Sequence, residues 1–343
     1  MKILLGISGG VDSAFAAFKL KSEGHEVEGA VIKMHEHTEI DAAKEAAKSI
    51  GIPLHIIDAT DDFERIIKEN FASEYAKGRT PNPCIICNPN VKFKALYDYA
   101  EKNGFDRIAT GHYAKILKVE NNGEVRYTLT SPQDAKKDQT YMLYRLPQHI
   151  LGKTIFPLSE MCKDQVRENS RSASLSAADR GDSQEICFLP DGNYAEFVEA
   201  KKGKCEEGNF VNDNGEILGR HKGIIHYTVG QRKGLGIALG TRAFVTEINP
   251  ESNTVTLSTN PKMPKEISIT DIVYTGLSEP DESVTISALV KPRYTAKKIP
   301  ATVIFSTDFT ANVIFSEPTT AAPGQSLTIY NNDGVLLAGG FIS

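Results

Sequence analysis

The sequence has 343 residues, enough for two or three domains, and its 40% hydrophobic and 24% charged residues are ordinary for a folded protein with a large core. A formal net charge of -5 excludes a uniformly basic nucleic-acid-binding surface but allows a local basic face. No apolar run approaches the roughly 20 residues that cross a bilayer, and the N-terminus soon breaks into glycines, so we expect neither a membrane span nor a signal peptide.

The first third of the chain alternates strand and helix patterns. Apolar runs predict strands at residues 2–7, 26–33, 53–58 and 107–110. Apolar residues at helical spacing predict helices at 13–23, 40–50, 63–76 and 91–103. Strands that alternate with helices of this length predict an α/β fold with a doubly wound, mostly parallel sheet, which binds ligands at the C-terminal ends of its strands.

The pattern changes after this region. Residues 196–262 are rich in Gly and Lys, with short strands predicted at 244–249 and 254–258. Later strands are predicted at 284–290, 301–305, 311–315, 325–330 and 335–341, and they indicate a small β-barrel or sandwich, of which we expect the barrel. We therefore expect a catalytic domain (1–195), a small central domain (196–262) and a C-terminal β-barrel domain (263–343).

The segment SGGVDS (residues 8–13) lies between the first strand and the first helix. Its glycines let the backbone approach phosphate oxygens, and the free amides of the helix N-terminus favour an anion. Ser8 and Ser13 add hydroxyl donors, whereas Asp12 could hold Mg²⁺ or cap the helix. The segment is neither a Walker loop nor GxGxxG, and the plainer interpretation is a capped strand-to-helix turn.

The loop closely resembles the phosphate-binding loop of the N-type ATP pyrophosphatases. These enzymes have an adenine nucleotide alpha hydrolase-like fold, transfer AMP to a substrate oxygen and release pyrophosphate. The resemblance implies adenylation by ATP but leaves the substrate open.

Two cysteine-bearing segments carry the second signal. Cys84 and Cys87 lie in GRTPNPCIICN (78–88), and Cys187 lies in DSQEICF (182–188). We expect Cys87 to lie near the N-terminus of the helix predicted from residue 91, where the helix dipole lowers a thiol pKa. We interpret Cys162 and Cys205 as incidental.

Three interpretations of the cysteines compete. The odd total of five is a poor disulfide framework and indicates a reducing cytoplasm. A structural zinc site would need a second CxxC or CxxH pair, which the sequence lacks. The remaining interpretation is thiol chemistry, in which one cysteine carries a persulfide and another attacks or resolves it.

Seven motifs in order give a specific resemblance. SGGVDS, GRTPNPCIICN, ATGHYA (109–114), KDQTYMLY (137–144), DSQEICF, HYTVGQRKGLGI (226–237) and APGQS (322–326) resemble the bacterial tRNA-specific 2-thiouridylase family (MnmA, also TrmU) from about residue 3 to 341. The resemblance implies binding of the anticodon arm of tRNA for Lys, Glu and Gln, with the wobble uridine flipped into the site because carbon 2 is inaccessible in a stacked anticodon. It implies a central domain that contacts tRNA.

The resemblance also assigns residues. ATP, with Mg²⁺, would adenylate the uracil 2-oxygen from a site formed by Gly6, Ile7, Ser8, Gly9, Gly10, Val11, Asp12, Ser13, Met34 and Gly111. Cys187 would carry a persulfide delivered by a sulfur donor such as a cysteine desulfurase or a sulfur-relay protein, and Cys87 would be the nucleophile that forms a transient disulfide with it. The matches to positions that contact the target base or the tRNA are Asn82, Pro83, Cys84, His112, Lys137, Asp138, Gln139, Arg293, Tyr294 and Gln325.

The sequence departs from the family at three points. Cys84 stands where some members have an aspartate proposed as general acid or base, a role that a thiol cannot copy at pH 7. The connection after Met34 is short, and the run before DSQEICF (residues 178–181, ending in Gly181) differs from the family's usual lysine-containing run. Three alternatives stay open: an iron–sulfur cluster held by Cys84, Cys87 and Cys187, another adenylating synthetase with the same loop, and a non-catalytic RNA-binding module.

Overall fold

The computed structural model describes residues 1–121, 123–181, 186–238, 240–261 and 263–343. Its N-terminal part is built on a five-stranded parallel sheet in the order β3-β2-β1-β4-β7. A separate antiparallel hairpin, β5–β6, follows β4. The strands are β1 (Lys2–Gly6), β2 (Glu26–Lys33), β3 (Leu54–Asp58), β4 (Arg107–Thr110), β5 (Lys115–Asn121), β6 (Glu124–Thr130) and β7 (Thr154–Ile155).

Helices cover both faces of the parallel sheet, as the alternating pattern predicts. Ile3 and Leu5 of β1 pack with the first two helices on one face, and Leu4 packs with the later helices on the other. The helices of this part are α1 (Val11–Ser22), α2 (Ile40–Ile50), α3 (Thr60–Asp62), α4 (Glu69–Ala76), α5 (Pro83–Cys87), α6 (Phe93–Lys102), α7 (Thr140–Leu143), α8 (Gln148–Leu151), α9 (Lys163–Ser172) and α10 (Tyr194–Lys202). The doubly wound fold is confirmed.

Two helices begin earlier than the sequence predicts. A π-helical turn, Phe63–Lys68, joins α3 to α4, so that helix starts at Thr60 instead of residue 63. A second π-helical turn, Asn88–Lys92, joins α5 to α6, so the helix predicted from residue 91 starts at Pro83. Asn82 caps this helix, because its Oδ1 accepts a hydrogen bond from the Cys84 amide at 3.2 Å. The prolines that suggested a stiff loop mark a helix start, since proline is tolerated in the first turn.

The central part contains a four-stranded sheet in the order β10-β11-β8-β9. The order of the C-terminal barrel is β12-β15-β14-β13-β16-β17, closed, which confirms the barrel expectation. Helix α10 packs against α4 and spans the predicted boundary at 195/196. The strands are β8 (Gly208–Val211), β9 (Ile217–His221), β10 (Phe244–Asn249), β11 (Thr254–Ser258), β12 (Glu266–Tyr274), β13 (Val284–Lys291), β14 (Ile299–Phe305), β15 (Ala311–Phe315), β16 (Ser326–Tyr330) and β17 (Leu336–Ile342).

The barrel packs firmly on the catalytic part through buried tyrosines. The Tyr141 hydroxyl donates to the Ser326 carbonyl at 2.8 Å, and the Tyr144 hydroxyl lies 3.0 Å from Ser326 Oγ. Tyr330 and Leu336 of the barrel join the same core cluster as the parallel sheet. Within the described part of the chain, no helix is long and apolar enough to cross a membrane.

Candidate active site

The loop between β1 and α1 is held by its own hydroxyls. The Ser8 amide donates to Ser13 Oγ at 3.1 Å, and Ser13 Oγ donates to the Gly10 carbonyl at 3.0 Å. Gly9 has a φ of +82°, and a Cβ at this position would lie 2.6 Å from the Ala42 methyl of α2. The loop therefore needs glycine for both its backbone conformation and its close packing.

Gly111 supports the loop from the neighbouring strand. It follows β4, and a Cβ on it would lie 2.8 Å from the Asp12 carbonyl carbon and from the Ser13 nitrogen. Both of those atoms are backbone atoms at the start of α1. Any side chain at residue 111 would therefore displace the first turn of that helix.

Asp12 forms a partly buried ion pair that the sequence analysis did not predict. The Lys163 ammonium, at the start of α9, lies 2.7 Å from Asp12 Oδ1 and 2.6 Å from Oδ2. The Tyr113 hydroxyl donates to Oδ1 at 2.8 Å. The Lys163 side chain is only 7% exposed, so a positive charge is fixed beside the phosphate loop. Both carboxylate oxygens of Asp12 are therefore bonded to Lys163 in this structure.

A cavity of about 920 Å³ opens at the C-terminal edge of the parallel sheet, where such folds bind ligands. It brings together residues that the sequence analysis assigned to separate motifs. Those in its wall are Gly6, Ile7, Ser8, Asp12, Ser13, Met34, Gly111, His112, Gln139 and Cys187. Of the remaining loop residues, Gly9 and Gly10 belong to the same turn, and Val11 is the first residue of α1.

Two residues of the cavity wall have structural roles as well. Gln139 Oε1 accepts a hydrogen bond from the Tyr113 amide at 2.8 Å, which orients the tyrosine that contacts Asp12. His112 Nδ1 lies 2.8 Å from Thr110 Oγ1. Burial, with a smaller effect from the Lys92 ammonium, lowers the pKa of His112 to about 3. His112 therefore meets a ligand as a neutral imidazole.

The three cysteines of interest are neighbours. Cys87 Sγ lies 3.8 Å from Met34 Sδ, at the end of β2, and both Cys84 and Cys187 lie close enough to influence its pKa. Cys84 and Cys187 are exposed, whereas Cys87 is buried. The fold thus places one inaccessible thiol between two accessible ones.

The expected low pKa of Cys87 is wrong. Burial raises the pKa of the Cys87 thiol to about 12, and the Lys92 ammonium opposes this only in part. The residue lies at the end of α5 inside a continuous helical stretch, not at a helix N-terminus. Cys187 is exposed by surface area, yet the cavity wall around its sulfur displaces water, and this desolvation raises the pKa of its thiol as well.

The cysteines form neither a disulfide nor a metal centre in this structure. All five thiols are free, so the disulfide bond between Cys87 and Cys187 that the resemblance implied is not present. Across the described residues, no three His, Cys, Asp or Glu side chains form a group that could hold a metal ion.

A second group of predicted residues lies next to Cys84. Burial is the main reason why the pKa of Tyr294 is raised. Asp138, Lys137 and Cys84 also influence this pKa. Asp138 is buried and accepts hydrogen bonds from the Thr140 amide at 2.9 Å and from Ser131 Oγ at 2.7 Å. The Lys298 ammonium lies 3.9 Å from Asp138 Oδ2, and the rings of Tyr294 and Tyr141 lie 6.0 Å apart, so both residues lie where the catalytic part meets the barrel.

The other residues expected to contact the base or the tRNA have different surroundings. Asn82 caps α5, and Pro83 is buried in the first turn. Gln325 Nε2 donates to the Thr80 carbonyl at 2.7 Å, which ties the barrel to the segment before the cysteines. Arg293 is exposed. Asp182, Ser183, Gln184 and Glu185 of DSQEICF lie outside the described residues.

Sequence reasoning missed Lys163, Tyr113 and Lys92. Lys92 lines the cavity and influences the pKa of both Cys87 and Cys187. Tyr113 lies inside the quoted ATGHYA motif, which could have identified it. Nothing in the local sequence of Lys163 marks it, because its partner Asp12 is 151 residues away.

Comparisons with known proteins agree on a family. Family models match residues 1–191 (tRNA methyl transferase HUP domain), 195–259 (tRNA methyl transferase PRC-barrel domain) and 264–342 (aminomethyltransferase beta-barrel domain). The protein named tRNA-specific 2-thiouridylase MnmA of Clostridioides difficile is 40% identical, covering 99% of this chain and 98% of its own length. Proteins of the same name from Caldicellulosiruptor saccharolyticus (40% identity, covering 99% and 98%) and Clostridium acetobutylicum (42%, covering 99% and 99%) are similar to the same extent.

Proposed function

This chain belongs to the tRNA-specific 2-thiouridylase family, and we propose that its ATP-dependent thiolation of tRNA takes place at carbon 2 of the wobble uridine. The enzyme is a tRNA sulfurtransferase. One observation carries the proposal of how it works: residues of the phosphate loop and Cys187 line the same cavity. An adenylated base and a sulfur carrier can therefore meet in one cavity.

We propose that the first step is adenylation of the base. The uracil 2-oxygen attacks the α-phosphorus of ATP, and the bond to pyrophosphate breaks. The N-terminal turn of α1, which begins at Val11, and the Lys163 ammonium lie where they can stabilise the charge that develops on the phosphates. Mg²⁺, brought in with ATP, would neutralise the departing pyrophosphate.

The second step replaces the activated oxygen with sulfur. The terminal sulfur of a Cys187 persulfide attacks carbon 2, and AMP leaves with the original oxygen. The Cys87 sulfur then attacks Cys187 Sγ, which forms the Cys87–Cys187 disulfide and leaves the terminal sulfur on the uridine. A thiol reductant must later supply two electrons to restore both thiols.

Cys87 needs help to act as a nucleophile. Its buried thiol has a pKa of about 12, so its proton must leave during the reaction. The Lys92 ammonium favours the thiolate.

The proposal also names a site for the flipped base, the tRNA substrates and the sulfur donor. Tyr294, Lys137, Asp138 and Cys84 surround the place where we put the flipped base, and Arg293 is exposed next to them. We propose tRNA for Lys, Glu and Gln as substrates, a cysteine desulfurase or sulfur-relay protein as the sulfur donor, and the cytoplasm as the compartment. The family models' description as methyl transferases names a reaction that needs neither a pyrophosphate-releasing loop nor neighbouring thiols.

The decisive experiment is reconstitution. The enzyme is incubated with ATP, Mg²⁺, a persulfide donor and unmodified tRNA, and the nucleosides are then analysed for 2-thiouridine. Expected results are 2-thiouridine with wild-type enzyme, and tRNA-dependent pyrophosphate release without 2-thiouridine in the Cys87→Ser and Cys187→Ser variants. Absence of product with tRNA and donor shown to be competent would overturn the proposal.

The same assay separates the alternatives. An adenylating synthetase of another kind would keep its own synthetase activity in both the Cys87→Ser and the Cys187→Ser variants. A non-catalytic RNA-binding module would bind tRNA without releasing pyrophosphate. Cys205→Ser serves as the matched control, because Cys205 lies in the central part of the chain, beside Gly223.

A further inference from the structure

Cys84 and Cys87 lie three residues apart in α5 but have opposite environments. Cys84 is exposed, whereas Cys87 is 6% exposed and packed against Met34. Residues three apart on a helix are neighbours, with Cβ atoms about 5–6 Å apart. A disulfide needs Cβ atoms about 3.5–4.5 Å apart, so the two residues must approach each other by about 1–2 Å for the bond to form.

The proposed reaction leaves a disulfide that is hard to remove. One of its sulfur atoms, on Cys87, is buried, and the other, on Cys187, lies in a cavity that substrate and product occupy. Cys187 must also become a free thiol before it can accept the next persulfide. An internal thiol that reaches Cys87 from its own helical turn would meet both needs.

Cys84 is placed to be that thiol. It influences the pKa of both Cys87 and Cys187, so it lies beside the pair that would form the disulfide. An exposed first cysteine and a buried second cysteine, separated by two residues in a helical turn, suit a dithiol that cycles between reduced and oxidised forms. The position holds a thiol in this chain and an aspartate in some members of the family.

Resting on the proposed function, we propose that Cys84 is the resolving thiol, which converts the Cys87–Cys187 disulfide into a Cys84–Cys87 disulfide in each turnover. The Cys84 thiolate attacks Cys87 Sγ, the Cys84–Cys87 bond forms, and the Cys87–Cys187 bond breaks. The electron pair leaves on Cys187, which takes up the proton that Cys84 lost. Nothing is oxidised or reduced overall in this exchange. A solution thiol reductant then attacks the exposed Cys84 sulfur and supplies the two electrons.

The test compares single and multiple turnovers. Full-length enzyme carrying a persulfide is mixed with ATP, Mg²⁺ and a limiting amount of unmodified tRNA, and 2-thiouridine formation gives the single-turnover rate. The multiple-turnover rate is measured with excess tRNA, persulfide donor and a fixed thiol reductant. For Cys84→Ser and Cys84→Asp, we expect the ratio of the multiple-turnover to the single-turnover rate to fall at least about tenfold below wild type. Cys205→Ser is expected to keep the wild-type ratio.

Disulfide mapping provides the second readout. Samples are quenched in acid during turnover, alkylated and digested, and the linked peptides are identified by mass spectrometry. Wild type is expected to contain the Cys84–Cys87 link, and Cys84→Ser to accumulate the Cys87–Cys187 link. An unchanged rate ratio in Cys84→Ser, or a wild type that accumulates only Cys87–Cys187, would overturn the resolving role.

The aspartate variant and the wild type separate the other outcomes. If Cys84→Asp keeps the wild-type ratio while Cys84→Ser does not, residue 84 acts as an acid or base and the resolving role is refuted. If wild-type enzyme makes no 2-thiouridine even in a single turnover, the proposed function itself fails. A resolving role that fails alone would leave single-turnover synthesis by wild type intact.

Discussion

At the scale of single residues, the active site depends on charged residues that are far apart in the sequence but in contact in the fold. Lys163 reaches Asp12 from α9 and holds an ammonium beside the phosphate loop. Local sequence could predict the loop because its glycines and hydroxyls follow one another. It could not predict Lys163, because only the folded chain brings α9 to α1.

Replacing Lys163 with methionine tests the role of that charge. Methionine keeps much of the length of the side chain but removes the ammonium, so charge on the phosphates loses one stabilising partner. We expect tRNA-dependent pyrophosphate release to slow by about 10²–10³-fold, the usual effect of losing one preorganised donor. Single-turnover pyrophosphate release with saturating ATP measures this rate.

A double variant separates catalysis from folding in this experiment. Lys163→Met leaves the Asp12 carboxylate without its cation, which destabilises the fold. Asp12→Asn combined with Lys163→Met removes the uncompensated charge and should recover thermal stability without recovering the rate. A single variant within threefold of the wild-type rate would contradict the role assigned to Lys163.

His112 gives a prediction about pH. Its pKa is about 3 in the folded protein because the ring is desolvated, against an ordinary value near ~6.5 in the unfolded chain. Between these values the unfolded chain binds a proton that the folded protein does not. The free energy of unfolding therefore contains a contribution that is complete above pH ~6.5 and is lost as the pH falls below it.

Urea unfolding at pH 7, 6 and 5 tests this contribution. Between pH 7 and pH 5, wild type is expected to lose on the order of 1 kcal/mol more unfolding free energy than His112→Asn. Partial contact of the ring with the cavity keeps the expected difference small. A His112→Asn variant that loses as much as wild type would contradict the prediction.

The pKa of Cys87 shows where a residue-scale prediction failed. The motif singled out Cys84 and Cys87 as candidates for thiol chemistry, but its prolines suggested a loop. The chain is helical from Pro83, so Cys87 lies inside a helical stretch and not at its start. Burial against Met34 and the core then raises the pKa of its thiol, which a sequence pattern cannot report.

At the scale of elements, the phosphate loop is shaped by the contact between β4 and α1. Gly111 lies so close to the first turn of α1 that a Cβ would be 2.8 Å from two backbone atoms. Backbone atoms cannot move aside as a flexible side chain can. The alternating pattern predicted both elements, but this contact depends on how they pack.

Gly111→Ala is therefore expected to impair ATP use. The added methyl group must push Asp12 and Ser13 away from the sheet, which disturbs the amides and the ion pair of the loop. We expect Gly111→Ala to weaken ATP binding, measured by isothermal titration calorimetry, by more than its lower thermal stability alone would explain. Gly181→Ala is the control, because a Cβ at residue 181 meets nothing within 4 Å. Equal ATP affinity in the two variants would refute the prediction.

At the scale of the whole molecule, the barrel supports the cysteine segment from outside the catalytic part. The Thr80 amide donates to the Pro323 carbonyl at 3.0 Å, and Gln325 Nε2 donates to the Thr80 carbonyl at 2.7 Å. The sequence predicted the sheet, the barrel and 10 of the 21 residues that line the cavity, because local motifs and periodicity determine them. It could not predict this connection, since 245 residues separate Thr80 from Gln325.

Gln325→Met tests whether the barrel positions the cysteines. Methionine keeps the volume of glutamine but removes the donor to Thr80, two residues before the cap of α5. The lost hydrogen bond joins Gln325 to the segment before the cysteines, so tRNA-dependent pyrophosphate release should change little. In contrast, 2-thiouridine formation should slow by about fivefold to tenfold, the cost of about one hydrogen bond. Both products are measured in the same single-turnover reaction, with Gln133→Met, at an exposed position, as the control. A barrel that acts only on overall folding would lower both rates together, so parallel losses in Gln325→Met would contradict the positioning role. A selective loss of sulfur transfer would establish that the barrel acts on the cysteines.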